Sequence, residues 1–144
     1  MSNYINPNLI LKMKKFNSLI FIDDDELTNI YHQLILKSSE ICDKAKFFLS
    51  AEKAIEYIQN ITSDKTETLP DVIFLDINMP AMNGWEFVDL YEKLDINNKP
   101  AIVMLSSSNH IKDLELSASK KTVYKLINKP LQLEELKHIC SELT

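Results

Sequence analysis

The most restrictive feature of this chain is an alternation. Five short apolar runs, "SLIFI" (18–22), "AKFFL" (45–49), "DVIFLD" (71–76), "AIVML" (101–105) and "VYKLI" (123–127), are separated by stretches with helical periodicity. Such runs, rich in β-branched and aromatic residues, read as strands buried on both faces. Between the first two, Leu27, Ile30, Tyr31, Leu34 and Ile35 recur at helical spacing. Ser50 offers an N-cap to a second helix with Ala54, Ile55 and Ile58 on one face. A third helix is expected over about residues 85–94 and a fourth within 106–119. A last amphipathic helix turns Leu133, Leu136, Ile139 and Cys140 inward. Five βα units in succession predict an α/β fold, a parallel sheet covered by helices on both sides with right-handed crossovers.

Length and charge narrow the function. The 144 residues, 45% hydrophobic and 26% charged, suit one globular domain with a core that needs no disulfides. Residues 1–16 read as a short extension and 17–144 as the domain. The net charge of −5 argues against a general nucleic-acid surface, and all sixteen cations are Lys, which leaves no Arg for bidentate base or phosphate clamps. Cys42 and Cys140 have no metal-ligand spacing and read as buried, reduced thiols. No apolar run approaches the ~18 residues of a membrane span. The start lacks the charge and cleavage pattern of a signal peptide, so a cytoplasmic location and no membrane partner are expected.

In open parallel sheets, ligands sit beyond the carboxyl ends of the strands. Those ends read Asp23-Asp24, Asp76, Ser106 and Lys129. Brought together, three carboxylates repel, a pair at 4 Å costing about 4 kcal/mol at an effective dielectric of 20. Two cations can relieve this: the Lys129 ammonium and a hard divalent ion such as Mg²⁺, which takes one or two carboxylates and favours phosphoryl oxygens. A cationic cluster around one free carboxylate is a site for phosphoryl transfer onto that carboxylate. Asp76 is then expected to stand exposed at the strand mouth as the nucleophile, with Ser106 donating to a phosphoryl oxygen. Asp25 reads as the N-cap of the first helix. Gly84 is expected to supply backbone freedom before the third helix, and Ser108 to cap the fourth. Trp85 and Phe87 read as packing residues near the site, and His32, His110 and His138 as surface or helix-face side chains.

The motifs "LIFIDDDE", "VIFLDINMPAMNGWEF", "AIVMLSSS" and "INKPL" stand in order at the ends of successive strands. With them, roughly residues 18–143 resemble a receiver domain of two-component response regulators. The resemblance implies the flavodoxin-like (βα)5 fold with strand order 2-1-3-4-5. It implies that Asp76 accepts a phosphoryl group from a sensor histidine kinase or histidine phosphotransfer domain. Asp24 would bind Mg²⁺ directly, Asp23 directly or through a water, and the backbone carbonyl of Asn78 would add a ligand. Ser106 and Lys129 would contact the phosphoryl group, and the Lys129–Pro130 bond would be cis. Asn78 and Ser108 would set how fast water reaches the acyl phosphate. Similarity to the stand-alone regulators of chemotaxis and phosphorelays implies a surface of the fourth helix, fifth strand and fifth helix that a downstream protein reads. One departure stands out. The family's aromatic residue three positions before its lysine is Leu126 here, and strand alternation places Tyr124 on the same face, about 6–7 Å away. Two other readings remain open: a phosphorylation-independent interaction domain, and a phosphatase with an aspartate nucleophile, which would want an acid where Asn78 stands.

Overall fold

A computed structural model describes residues 15–65 and 67–144. The elements in chain order are β1 (Leu19–Ile22), α1 (Glu26–Ser39), β2 (Ala45–Phe48), α2 (Ala51–Asp64) and β3 (Val72–Asp76). They continue with α3 (Gly84–Glu92), β4 (Ala101–Ser106), α4 (Ile111–Ser119), β5 (Val123–Asn128) and α5 (Leu133–Leu143). The five strands form one parallel sheet in the order β2-β1-β3-β4-β5. Chain order reverses beside β1, so the carboxyl ends of β1 and β3 meet at the point where such sheets bind ligands.

Two cores follow from the alternation of side chains along each central strand. Ile20, Ile22, Ile73, Leu75, Ile102 and Met104 face α2 and α3, packing with Ile58, Phe87 and Tyr91. Leu19, Phe21, Val72, Phe74, Val103 and Leu105 face the other way, with Leu36 of α1 and Leu136, Ile139 and Cys140 of α5. Both faces of β3 are buried throughout, which is why its sequence is an unbroken apolar run. Asp25 caps α1 by accepting from the Leu27 N–H at 3.0 Å, and Ser50 caps α2 by accepting from the Lys53 N–H at 3.3 Å. Cys42 and Cys140 are buried and form no disulfide with each other, and burial pushes the Cys42 thiol up.

Several expectations change in the folded chain. The inward residues of α1 are Asn29, His32 and Leu36, whereas Leu27, Ile30 and Leu34 are 75%, 45% and 60% exposed. The sheet ends in polar groups beneath this helix, and Asn29 turns inward to meet them. Helix α3 starts at Gly84 and ends at Glu92, two residues short of the expected end; Asn83 and Glu86 close a capping box at its start. Ser108 does not cap α4, whose N-cap position is held by His110. A register shift between Ile102 and Val103 leaves Tyr124 as an extra residue on β5. The bulge breaks the expected alternation. Leu126 packs into the core shared with α3, while the Tyr124 hydroxyl bonds Glu142 of α5.

Residues 1–14, most of the expected extension, lie outside the described residues. Phe16, placed in that extension by its position, is only 3% exposed. It donates its N–H to the Ile41 carbonyl at 2.9 Å and closes the lower end of the core beside Cys42. Among the described residues, no helix is long and apolar enough to cross a membrane.

Candidate functional site

The site lies at the carboxyl ends of β1, β3, β4 and β5, and backbone hydrogen bonds assemble it. The Ile77 N–H donates to the Leu105 carbonyl at 3.1 Å, and the Lys129 N–H to the Ser106 carbonyl at 2.8 Å. These bonds extend the strand pairing by one residue, so Asp76, Ser106 and Lys129 stand at neighbouring strand ends. The Gly84 N–H donates to the Ile77 carbonyl at 2.8 Å and folds the β3–α3 loop back toward the end of β3. Gly84 has no positive φ, so the expected backbone freedom is not its role. Close approach is. A Cβ here would lie 2.7 Å from the Asp76 carbonyl oxygen and 2.9 Å from the Ile77 Cα. The positive φ in this loop belongs to Ala81, at 65°.

One carboxylate oxygen from each of Asp23, Asp24 and Asp76 lies within 4.8 Å of the other two. Lys129 Nζ donates to Asp23 Oδ2 at 2.7 Å and to Asp76 Oδ1 at 3.0 Å. The acids of β1 and β3 and the ammonium after β5 therefore converge as the strand ends required.

The three acids are not equivalent. Asp23 is 2% exposed and fully engaged. Its Oδ1 accepts from the Asp25 N–H at 2.9 Å, its Oδ2 takes Lys129, and its carbonyl takes Asn29 Nδ2 at 3.0 Å. Asp24 is exposed, and its carboxylate makes no hydrogen bond or ion pair with any described residue. Asp76 was expected to be exposed and is instead 3% exposed, because the β3–α3 loop closes over it. Burial and then the neighbouring Asp23 charge push its pKa up to about 6, against the pull of Lys129 and of the Asn78 N–H. Burial would lower the Lys129 pKa, but its bonds to Asp23 and Asp76 prevail and raise it. The centre sets three carboxyl groups against one ammonium.

The donor set suits a hard divalent cation. It offers oxygens alone, from two different strands, and one carboxylate free to take a metal. Asn78 is exposed on the loop just past Asp76. Ser106 is fully buried and turned to its own loop: its Oγ donates to the Ser108 carbonyl at 2.6 Å and accepts the Ser108 N–H at 3.1 Å. The Lys129–Pro130 bond is cis. Trp85 is half-buried and Phe87 fully buried, and both pack into the core shared by the sheet, α2 and α3. A cavity of about 540 Å³ opens at the opposite end of β1 and β2, near Lys44, Tyr57 and Thr68, and contains none of these groups.

Two neighbours escaped the sequence reading. Asn29 and His32 are buried on the inward face of α1, with Asn29 Oδ1 and His32 Nδ1 lacking partners among the described residues. His32 was expected on a surface or helix face and is instead 1% exposed, stacked on Phe21 at 4.6 Å between ring centroids. Burial, and then the charge of Lys129, lowers its pKa to about 4, so the ring is neutral. The one available signal was the i, i+3, i+7 spacing of Asn29, His32 and Leu36, which the exposed leucine stripe obscured. His138, by contrast, is exposed.

Comparison with known proteins agrees with this geometry. A family model, the response regulator receiver domain, matches residues 19–141. The nitrate/nitrite response regulator protein NarL of Escherichia coli K12 is 37% identical over 67 residues, 46% of this chain and 30% of NarL. An uncharacterized response regulatory protein of Vibrio cholerae is 28% identical over 120 residues, 83% of this chain and 45% of its own length. The chain thus spans less than half the length of these curated relatives. Among solved structures, a two component response regulator from Cytophaga hutchinsonii superposes with a TM-score of 0.82 at 27% identity, covering 90% of this chain and 98% of the other. The chemotaxis protein CheY4 of Vibrio cholerae shares the fold, with a TM-score of 0.72 at 19% identity and coverage of 89% and 98%. The match over most of the chain, together with the convergence of Asp23, Asp24, Asp76 and Lys129, places this chain in the response regulator receiver domain family.

Proposed function

We propose that the chain is a phosphorylatable switch whose acceptor is Asp76. The observation that carries this reading is the meeting of three carboxylates and one ammonium at the switch point of the sheet. Asp24, without another partner among the described residues, and Asp76 would hold Mg²⁺, with Asp23 directly or through a water and with the Asn78 carbonyl. When bound, Mg²⁺ neutralises the acids and the oxygens of an incoming phosphoryl group. Asp76, whose pKa of about 6 leaves it ionised at neutral pH, attacks phosphorus with one carboxylate oxygen. The new bond is O–P; the bond that breaks is the P–N bond of a phosphohistidine, and the donor's imidazole leaves. Lys129 passes from the Asp76 carboxylate to a phosphoryl oxygen. The Ser106 hydroxyl leaves Ser108 and donates to another. Catalysis is limited to the domain's own phosphorylation and dephosphorylation, with Asn78 and Ser108 setting the access of water.

The donor is a sensor histidine kinase or a histidine phosphotransfer protein. The phosphorylated chain presents the surface of α4, β5 and α5 to a downstream protein, or passes the group to another histidine. With a net charge of −5 and no Arg, the chain itself makes no direct contact with nucleic acid. We place it in the cytoplasm, with residues 17–144 as the receiver and 1–16 as an extension.

Incubation with a small phosphodonor is expected to label Asp76 in the presence of Mg²⁺ and not after chelation. If Asp76→Asn labels as well as the parent protein, the assignment fails. Comparing partner capture with and without beryllofluoride tests the phosphorylation-independent reading. Asn78, where a phosphatase would want an acid, speaks against steady hydrolysis of outside monoesters.

A further inference from the structure

The other four helices each turn three or more residues into the core. Helix α4 does not: all nine of its residues are half-buried or exposed. Ile111 is 72% exposed and Leu114 55%, and the His110 side chain makes no capping bond. Apolar burial contributes little to holding this helix in place.

Polar bonds from one stripe of α3 hold it instead. Trp85, Asp89 and Glu92 stand at i, i+4 and i+7, on one face of that helix. Trp85 Nε1 donates to Asp113 Oδ1 at 2.9 Å. Lys120 Nζ, one residue past the end of α4, donates to Asp89 Oδ1 at 2.6 Å. Thr122 gives both its N–H and its hydroxyl to Glu92 Oε2, at 3.1 and 2.9 Å. An indole thus pins the start of α4, and a salt bridge with a double hydrogen bond pins its end.

The start is the end linked, through its neighbours in the chain, to the proposed phosphorylation site. Trp85 follows Gly84, which backs onto the Asp76 carbonyl. On the other side, the Ser106 hydroxyl donates to the Ser108 carbonyl and accepts from the Ser108 N–H, two residues before His110.

We propose that the Trp85–Asp113 hydrogen bond is a latch that holds α4 in the resting arrangement and opposes the switch driven at Asp76. The proposal rests on the phosphoacceptor reading given above. A serine hydroxyl has one proton to donate, and Ser106 now spends it on the Ser108 carbonyl. Reaching a phosphoryl oxygen therefore releases the β4–α4 connection. Asp113 sits in the first turn of α4, so displacement of that turn breaks the indole bond. The Asp89–Lys120 and Glu92–Thr122 pairs keep the far end as a pivot.

Losing one part-buried hydrogen bond to a charged acceptor shifts the balance between resting and switched states by about tenfold. A phosphoryl mimic that favours the switched state then binds about tenfold more tightly once the latch is removed. The test uses the full chain with Mg²⁺ and beryllofluoride, binding followed by calorimetry and α4 order by amide hydrogen exchange. Trp85→Phe keeps most of the ring and removes the donor, Asp113→Ala removes the acceptor, and Asp113→Asn retains an acceptor oxygen. Trp85→Phe and Asp113→Ala are expected to exchange α4 amides faster, even without beryllofluoride, and to bind the mimic about tenfold more tightly. Asp113→Asn is expected to stay near the parent. Parental α4 exchange and parental affinity in both disabling variants would overturn the latch. Failure of the parent itself to bind the mimic would overturn the phosphoacceptor reading instead, while α4 exchange without ligand still decides the latch.

Discussion

His32 is the sharpest place to test the electrostatics beneath the site. It is 1% exposed, its Nδ1 has no partner among the described residues, and its pKa is lowered from 6.5 to about 4 by burial and then by the Lys129 charge. In the unfolded chain the ring titrates at its ordinary value, so between pH 4 and 6.5 the unfolded state binds more protons than the folded one. Stability therefore rises with pH across that window and is lost as pH falls through it. At 1.36 kcal/mol per unit, moving from above pH 7 to pH 5 costs about 2 kcal/mol. His32→Leu removes this proton linkage. It also removes an unsatisfied buried atom, a relief of about 1–3 kcal/mol, and loses a ring stack of about 0.5–1.5 kcal/mol. Near pH 8 those effects oppose each other, and the variant should lie within about 1–2 kcal/mol of the parent. At pH 5 it should have gained about a further 2 kcal/mol relative to the parent. Urea unfolding of both proteins at the two pH values, without divalent ions, measures this difference of differences and cancels the other titrating groups. A gap between variant and parent that does not change with pH would refute the claim that the fold holds this ring neutral.

Three further outcomes follow from the same geometry. Lys129→Met removes the one ammonium bonded to both Asp23 and Asp76, so it should cost about 3 kcal/mol in chelator. Much of that should return on titrating Mg²⁺, followed by the shift in urea midpoint. Gly84→Ala gains helix propensity but drives a methyl into the Asp76 carbonyl. A net loss of about 1–3 kcal/mol is expected by thermal melting, with slower labelling by a small phosphodonor. Tyr91→Phe deletes a buried hydroxyl that donates to the Pro100 carbonyl at 2.7 Å, which should cost about 1–2 kcal/mol and leave labelling intact. If Tyr91→Phe slows labelling as much as Gly84→Ala does, close approach of the loop is not what positions Asp76.

Much of this molecule could be read from its residues in order. The five apolar runs mark five strands because a strand buried on both faces has no other pattern available. The polar residues that end those runs mark the site because a parallel sheet carries its carboxyl ends to one edge. Asp25 and Ser50 announce their helices because a cap is a bond between residues two or three apart. Each of these is local, or follows from topology alone.

Tertiary structure decided the rest. Leucines on α1 could not reveal that they face outward, since a second stripe of Asn29, His32 and Leu36 runs beside them. The choice between stripes depended on the groups waiting at the end of β1. Alternation in β5 could not reveal the bulge at Tyr124, because register is a property of two strands. Gly84 looked like a turn residue until the Asp76 carbonyl arrived against it from another element. Periodicity along a chain reports what a segment can become. Which face it buries, and against what, is settled by contacts between residues far apart in sequence.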